Sequence, residues 1–277
     1  MFKLAVLDID GTLVDDKGQL SKKTIETVQT VKKSGAFVTI CTGRNITKAL
    51  PIVKKLKIEI PFVCIDGTLM YDPVKNKIIK DLKLSQEETH FILDTAKDKH
   101  AFVELSDGNK YYKYIKNKEL LQYDIFNKHT IWGHMKSYFG GIRYISNFER
   151  LKGLKEPYYQ IVIASEIDII EEIKKEIQKG GFERIEIRDY LWEKFLFINR
   201  KGIKKSQGVQ MLCNYFDVSI DEVVTIGDEE NDVDMIQLAG MGVAMGNAVE
   251  NVKAVADFVT ANNNENGAAL ALEKYFL

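Results

Sequence analysis

Asp8 and Asp10 stand two residues apart directly after the apolar run 2–7, and Gly11 and Thr12 follow them. Thr42, Gly43 and Arg44 follow a second apolar run, 36–41. Gly227, Asp228, Asn231 and Asp232 follow a third, 222–226, and the lysine pair Lys204 and Lys205 opens the amphipathic stretch before it. The set is acidic, holds a hydroxyl and an ammonium, and contains no histidine. Carboxylates brought together repel one another unless a cation neutralises them. Oxygen donors without Cys or His favour Mg²⁺ over zinc or copper. Mg²⁺ keeps waters and takes substrate phosphate as a ligand. A lysine, a threonine hydroxyl and turn N–H groups suit the remaining phosphate oxygens. Together these residues would support metal-assisted phosphoryl chemistry, with a carboxylate as candidate nucleophile.

Taken singly, each piece has a plainer reading. Asp-x-Asp-Gly-Thr also fits a surface turn. Thr42-Gly43-Arg44 also fits an ordinary loop start, Lys204-Lys205 a solvated helix end, and the acidic run 228–232 a helix cap. What favours chemistry is the order of the set, each member at the end of an expected strand or the start of an expected helix. In an open parallel sheet that edge is where ligands bind.

The elements needed to place the set there are legible. Ser21 can cap a helix running to about residue 33, with Ile25, Val28 and Val31 on one face. Gly35 stops it. A helix over 47–56 and a third strand over 62–65 complete a βαβαβ pattern, which predicts a parallel sheet with helices on both faces. From about residue 82 to 199 the pattern changes. Strand-like runs at 101–105, 111–115, 158–164 and 195–199 mix with helices, and Ile169, Ile170, Ile173 and Ile177 mark a helix over 166–179. All four histidines, His90, His100, His129 and His134, fall here with most of the aromatics. After Lys201-Gly202 the α/β rhythm returns, with helices over 206–216, 233–238, 249–254 and 268–275 and strands over 222–226, 242–245 and 258–259. The expected fold class is α/β: a Rossmann-like parallel core in two parts, 1–81 and 200–277, interrupted by an inserted α+β domain over 82–199.

The 277 residues carry 39 Lys and Arg against 40 Asp and Glu, 45% hydrophobic and 29% charged residues. That composition excludes collagen-like, disulfide-rich and charge-swollen disordered chains. Its balance gives no pull towards nucleic acid. Cys41, Cys64 and Cys213 fit no zinc pattern, and Cys41 and Cys64, which lie in apolar runs, are expected as buried reduced thiols. The N-terminus reaches acidic residues at once, leaving no room for a signal segment, and no apolar run approaches a membrane span. A cytoplasmic enzyme with no membrane, nucleic-acid or obligate protein partner is expected.

These motifs resemble the haloacid dehalogenase superfamily of phosphotransferases. The first is Asp8-Ile9-Asp10-Gly11-Thr12-Leu13, the second Thr42-Gly43-Arg44, the third Lys205 and the fourth Gly227-Asp228-Glu229-Glu230-Asn231-Asp232. The tail Gly242-Val243-Ala244-Met245-Gly246-Asn247-Ala248, with Ala256-Asp257 and Asn266-Gly267, resembles the Cof-type subfamily. The insert sits where that family carries a type-C2 cap. The resemblance implies that Asp8 attacks phosphorus to form an aspartyl-phosphate. Asp10 would protonate the leaving oxygen and then activate water. Asp8, the backbone carbonyl of Asp10, and Asp228 would hold Mg²⁺, with Asp232 supporting from the ligand shell or just outside it. Thr42, Gly43 and Lys205 would hold the phosphoryl group, and Asn231 would order that end of the site.

Two positions depart from the pattern. Ser206 follows Lys205 where Gly is common. After the third strand the subfamily shows Asn-Gly, whereas Asp66-Gly67-Thr68-Leu69 stands here. Asp66 is expected in a hinge turn near the site, disfavouring some anionic leaving groups. Arg44 is expected either to reach substrate or to form a structural ion pair. Trp132 and His134 are candidate cleft residues in the insert. The leading expectation is a Mg²⁺-dependent phosphatase acting on a small phosphorylated metabolite such as a sugar phosphate. The alternatives are a phosphomutase of the same fold and a non-catalytic ligand-binding regulator. Intact Asp8, Asp10, Lys205 and Asp228 weigh against the regulator.

Overall fold

β1 (Leu4–Leu7) is four apolar residues with no solvent exposure. Such a run suits a central strand of a parallel sheet, covered on both faces. The structure, a computed structural model, describes residues 2–124, 141–154, 158–190 and 194–277. Two compact units make up the chain: Met1–Asp81 with Ile203–Leu277, and Leu82–Gly202.

In the first unit β1 leads to α1 (Lys22–Lys33), β2 (Phe37–Ile40), α2 (Ile46–Lys55), β3 (Phe62–Cys64), β4 (Leu69–Asp72) and β5 (Lys77–Asp81). The second unit runs α3 (Gln86–Ala96), β6 (Phe102–Ser106), β7 (Tyr111–Tyr114), β8 (Ile142–Ile145), α4 (Phe148–Lys152), β9 (Gln160–Ala164), α5 (Ile167–Lys179), β10 (Ile185–Tyr190) and β11 (Phe195–Arg200). The first unit resumes with α6 (Lys205–Phe216), β12 (Val223–Gly227), α7 (Val233–Leu238), β13 (Met241–Ala244), α8 (Glu250–Val255), β14 (Phe258–Val259) and α9 (Gly267–Phe276).

The core sheet has the order β14-β13-β12-β1-β2 and is parallel throughout. Leu7 lies opposite both Ile226 and Ile40. The chain therefore leaves all three strands at one edge, delivering Asp8, Gly227-Asp228 and Cys41-Thr42 there. Ser21 does cap α1, its hydroxyl accepting from the Thr24 N–H. α1 buries Val28 and Val31 and packs against α9, while α6 packs against α7.

The third strand behaves differently from the sequence expectation. β3 meets the parallel sheet through a bridge between Cys41 and Val63. Its own ladder is antiparallel, to β4, which pairs in turn with β5. The sequence reading contained no β4–β5 hairpin. β4 is a short, wholly buried run, and β5 flanks its isoleucine pair, Ile78 and Ile79, with Lys77 and Lys80, charged residues of the kind an edge strand carries.

The second unit is α+β. Its six-stranded sheet has the order β10-β11-β9-β6-β7-β8, antiparallel except between β7 and β8. Val103, Leu105, Ile161, Ile163, Leu196 and Ile198 pack from one face against Ile92 and Leu93 of α3 and Ile170, Ile173 and Ile177 of α5. A smaller cluster, Phe102, Val162, Ala164 and Phe195 with Leu120 and Tyr123, also builds on this sheet. Beside it Lys113 is buried between Glu104 at 2.7 Å and Asp124 at 2.5 Å. Burial alone would lower the Lys113 pKa, but the two carboxylates outweigh it and the net direction is upward. His129, Trp132 and His134 lie outside the described residues.

Candidate active site

Asp8 is the first residue beyond β1, and its N–H donates to the Ile226 carbonyl at 3.0 Å. This bond continues the ladder and fixes where the side chain starts. Lys205 is the first residue of α6 and only 1% exposed, while Lys204 before it is exposed. The structure thus brings Lys205, not its neighbour, into the site. The Lys205 Nζ donates to Asp8 Oδ1 at 2.8 Å and to Asp232 Oδ1 at 2.5 Å. α6 can approach this closely because Gly208 faces the sheet. A Cβ there would stand 2.7 Å from Val63 Cγ1 and 3.1 Å from Cys41 Sγ.

Asp228 leaves the end of β12. Its Oδ1 accepts from the Thr12 hydroxyl at 2.7 Å, and its Oδ2 lies 3.4 Å from Asn247 Nδ2. Asn247 Nδ2 also donates to the Gly11 carbonyl at 2.9 Å. Asp232 Oδ2 accepts from the Asp228 and Glu229 N–H groups at 2.9 and 3.0 Å. Gly11 has φ +70°, and a Cβ there would stand 2.0 Å from Asp228 Oδ2. Only glycine allows both that turn and that approach. Asp8, Asp228 and Asp232 each place a carboxylate oxygen within 4.8 Å of the others'.

Asp10 points elsewhere. Its carboxylate is 64% exposed and takes a bidentate pair from Arg44, Nε to Oδ2 at 2.8 Å and Nη2 to Oδ1 at 2.5 Å. The Arg44 side chain thus forms an ion pair with Asp10. Thr42 is buried, and its hydroxyl accepts from the Arg44 N–H at 3.2 Å. Gly43 lies beside Asp66, whose Oδ1 accepts from Asn231 Nδ2 at 2.8 Å. Asn231 therefore reaches the Asp66 turn. The hydroxyl of Thr12 and the amide of Asn247 were not singled out from the sequence as site groups. The strand-end rule that found the others applies to Asn247 as well, three residues beyond β13.

The electrostatics follow burial and neighbours. Burial is the main cause that raises the Asp8 pKa well above the usual carboxylate range; Lys205 opposes it and Asp232 adds to it. Burial also pushes Asp228 up to about 7, against the Thr12 hydrogen bond and with help from Asp232. For Lys205, burial favours the neutral amine, but Asp232 and Asp8 more than reverse this and the pKa rises. Three buried carboxylates share one ammonium. That excess of negative charge, presented through oxygen donors alone, fits a hard divalent cation.

Residues 5–272 match the haloacid dehalogenase-like hydrolase family. The chain belongs to that family and is an enzyme of the hydrolase class. It is similar to the stress response protein YhaX of Bacillus subtilis, at 30% identity over 99% of this chain and 93% of that one. A second B. subtilis relative, the 5-amino-6-(5-phospho-D-ribitylamino)uracil phosphatase YitU, is 28% identical over 99% of this chain and 97% of its own. A solved haloacid dehalogenase-like hydrolase from Bacteroides thetaiotaomicron superposes with a TM-score of 0.82 at 26% identity, over 100% of both chains. Among the described residues no helix is long and apolar enough to cross a membrane.

Proposed function

We propose that the protein is a Mg²⁺-dependent phosphatase that hydrolyses small phosphorylated metabolites through an aspartyl-phosphate on Asp8. The observation that carries this reading is the Asp8 carboxylate, held at the end of β1 by Lys205 with Asp228 beside it. A binding module has no need of a nucleophile oriented in this way.

Asp8, Asp228 and the backbone carbonyl of Asp10 would hold the ion. Asp232 would support it, since both of its oxygens already accept from Lys205 or backbone N–H groups. The bound cation would supply charge neutralisation for the phosphate and for Asp8. One Asp8 oxygen attacks phosphorus, the bond to the leaving oxygen breaks, and Asp10 delivers the proton that this oxygen needs. Lys205 and the Thr42–Gly43 turn bind the transferred phosphoryl group. Water then attacks the phosphorus, Asp10 takes its proton, and the bond from phosphorus to Asp8 breaks to release inorganic phosphate. Asp10 must leave Arg44 to do this, which its exposure permits.

The second unit would act as a type-C2 cap that reads the leaving group. The name of YitU, a phosphatase of a phosphorylated ribityl compound, supports a sugar-phosphate-like substrate. The test is a panel of phosphorylated sugars, nucleotides and cofactors with Mg²⁺, run on the parent protein and Asp8→Asn. The variant should keep the fold and lose turnover by several orders of magnitude. Near-normal release of phosphate by Asp8→Asn would remove the covalent route. Phosphate release by the parent without a bisphosphate activator separates a phosphatase from a mutase.

A further inference from the structure

The turn after β3 is unusual in its backbone and in its partners. Ile65, Asp66 and Gly67 all have positive φ, at 49°, 52° and 99°. A β-branched residue rarely occupies that region, so surrounding contacts must hold it there. The contacts are present. The Ile65 N–H donates to the Arg44 carbonyl at 3.1 Å and the Asp66 N–H to the Thr42 carbonyl at 3.2 Å. On the other side, a Cβ on Gly67 would stand 2.1 Å from the Lys204 carbonyl. The turn is therefore clamped between the 42–44 loop and the start of α6. From this clamped position the Asp66 carboxylate reaches across to a third loop and accepts from Asn231 Nδ2 at 2.8 Å. Asn231 stands between Asp228 and Asp232.

We propose that Asp66 is a positioning residue whose hydrogen bond to Asn231 ties the 42–44 loop to the loop carrying Asp228 and Asp232. The proposal rests on the phosphatase reading for its catalytic consequence. The bond itself does not depend on that reading. Asp66 acts through Asn231 on the metal-binding carboxylates and has no reacting atom of its own. Partners placed behind a metal's ligands are worth roughly 10- to 100-fold in affinity or activity. An asparagine here would still offer an acceptor oxygen to Asn231, whereas an alanine would not.

The experiment uses the full chain with Asp66→Ala, Asp66→Asn, Asn231→Ala and the double variant Asp66→Ala/Asn231→Ala. Mg²⁺ affinity is read by calorimetry, and kcat and KM are read with p-nitrophenyl phosphate. Asp66→Ala should weaken Mg²⁺ binding and lower kcat, each by roughly 10- to 100-fold, with a smaller change in KM. Asn231→Ala should match it, the double variant should be no worse than either, and Asp66→Asn should recover most of the loss. Thermal unfolding of the parent, Asp66→Ala, Asn231→Ala and the double variant forms a cycle that needs neither metal nor substrate, and the two alanine effects should be non-additive in it. Additive unfolding effects overturn the proposal whatever the activity does. So does an Asp66→Ala protein with Mg²⁺ affinity and kcat within twofold of the parent, or an Asp66→Asn protein as impaired as the alanine variant. A parent protein that neither binds Mg²⁺ nor turns over any ester would instead sink the phosphatase reading, leaving the unfolding cycle to decide the bond.

Discussion

At the scale of single residues, the ammonium of Lys205 is the one that bears on the candidate site. It is the buried cation between Asp8 and Asp232. Removing one member of a buried pair leaves an uncompensated charge and costs about 3–5 kcal/mol. Lys205→Met should be destabilised by that order in urea unfolding at pH 8, and should lose turnover. Parent-like stability would show that water reaches these carboxylates freely. A pH effect follows from Asp228, which in the metal-free fold holds its proton up to about 7. In the unfolded chain an aspartate releases it near about 4. The folded state therefore binds more protons between those values, and metal-free stability should fall as pH rises from about 4 through 7. Mg²⁺ added at pH 8 should raise the unfolding temperature, because the ion takes the proton's place. A flat metal-free profile, with no Mg²⁺ effect at pH 8, would contradict the assignment of Asp228. Asp8, Thr42, Lys205, Asp228 and Asp232 were legible because each sits at a strand end or helix start, a local signal. The Thr12–Asp228 bond spans 216 positions and the Arg44–Asp10 pair 34, and no periodicity encodes such partners.

At the scale of elements, the placement of α6 decides where Lys205 points. The helix meets the sheet through Gly208, and its first turn is held by the Ser206 N–H donating to Asp234 Oδ2 at 2.9 Å. Ser206 stands where the resemblance suggested glycine, and its backbone, not its side chain, makes this contact. A methyl at 208 would press on Val63 and Cys41 and push the helix outward. Gly208→Ala should therefore cost roughly 1–3 kcal/mol as an overpacking change. It should lower kcat more than the stability loss alone explains, because Lys205 moves with the helix. Calorimetric unfolding alongside steady-state kinetics separates the two effects. An unaltered kcat would mean that the helix tilts without moving its first residue. The elements themselves were read well where they are long or periodic, as with α1, α5 and α6. The β4–β5 hairpin escaped because Lys77–Asp81 shows neither strict alternation nor a continuous apolar run, so no strand signal marks its second arm. The preceding Asp66-Gly67 also carries a turn signal that reads as the end of a unit.

At the scale of the whole molecule, the chain separates its chemistry from its variety. Asp8, Asp10, Thr42, Lys205, Asp228 and Asp232 all belong to the first unit, which on the proposed reading would hold the phosphoryl group. The second unit supplies a sheet with one face packed against α3 and α5. Its other side carries an uneven mixture of groups. Arg188 on β10 lies opposite Phe197 on β11; its Nη2 donates to Asn199 Oδ1 at 3.5 Å, and its buried Nε has no hydrogen-bond partner among the described residues. Nearby Gln160 and Asn199 are buried polar residues 3.4 Å apart. A guanidinium with an unmet donor beside an aromatic ring suits a polar or anionic part of a ligand better than a sealed core. If this unit selects substrates, Arg188→Ala and Phe197→Ala should change kcat/KM strongly and unequally among large phosphorylated metabolites. They should change it much less for acetyl phosphate, which has almost no leaving group to read. Binding energy from the remote part of a substrate is then what distinguishes one metabolite from another. The check is to measure both substrate types on the same variants. Equal losses for acetyl phosphate and for the large esters would make the second unit a general lid or a folding element, and substrate choice would have to arise in the first.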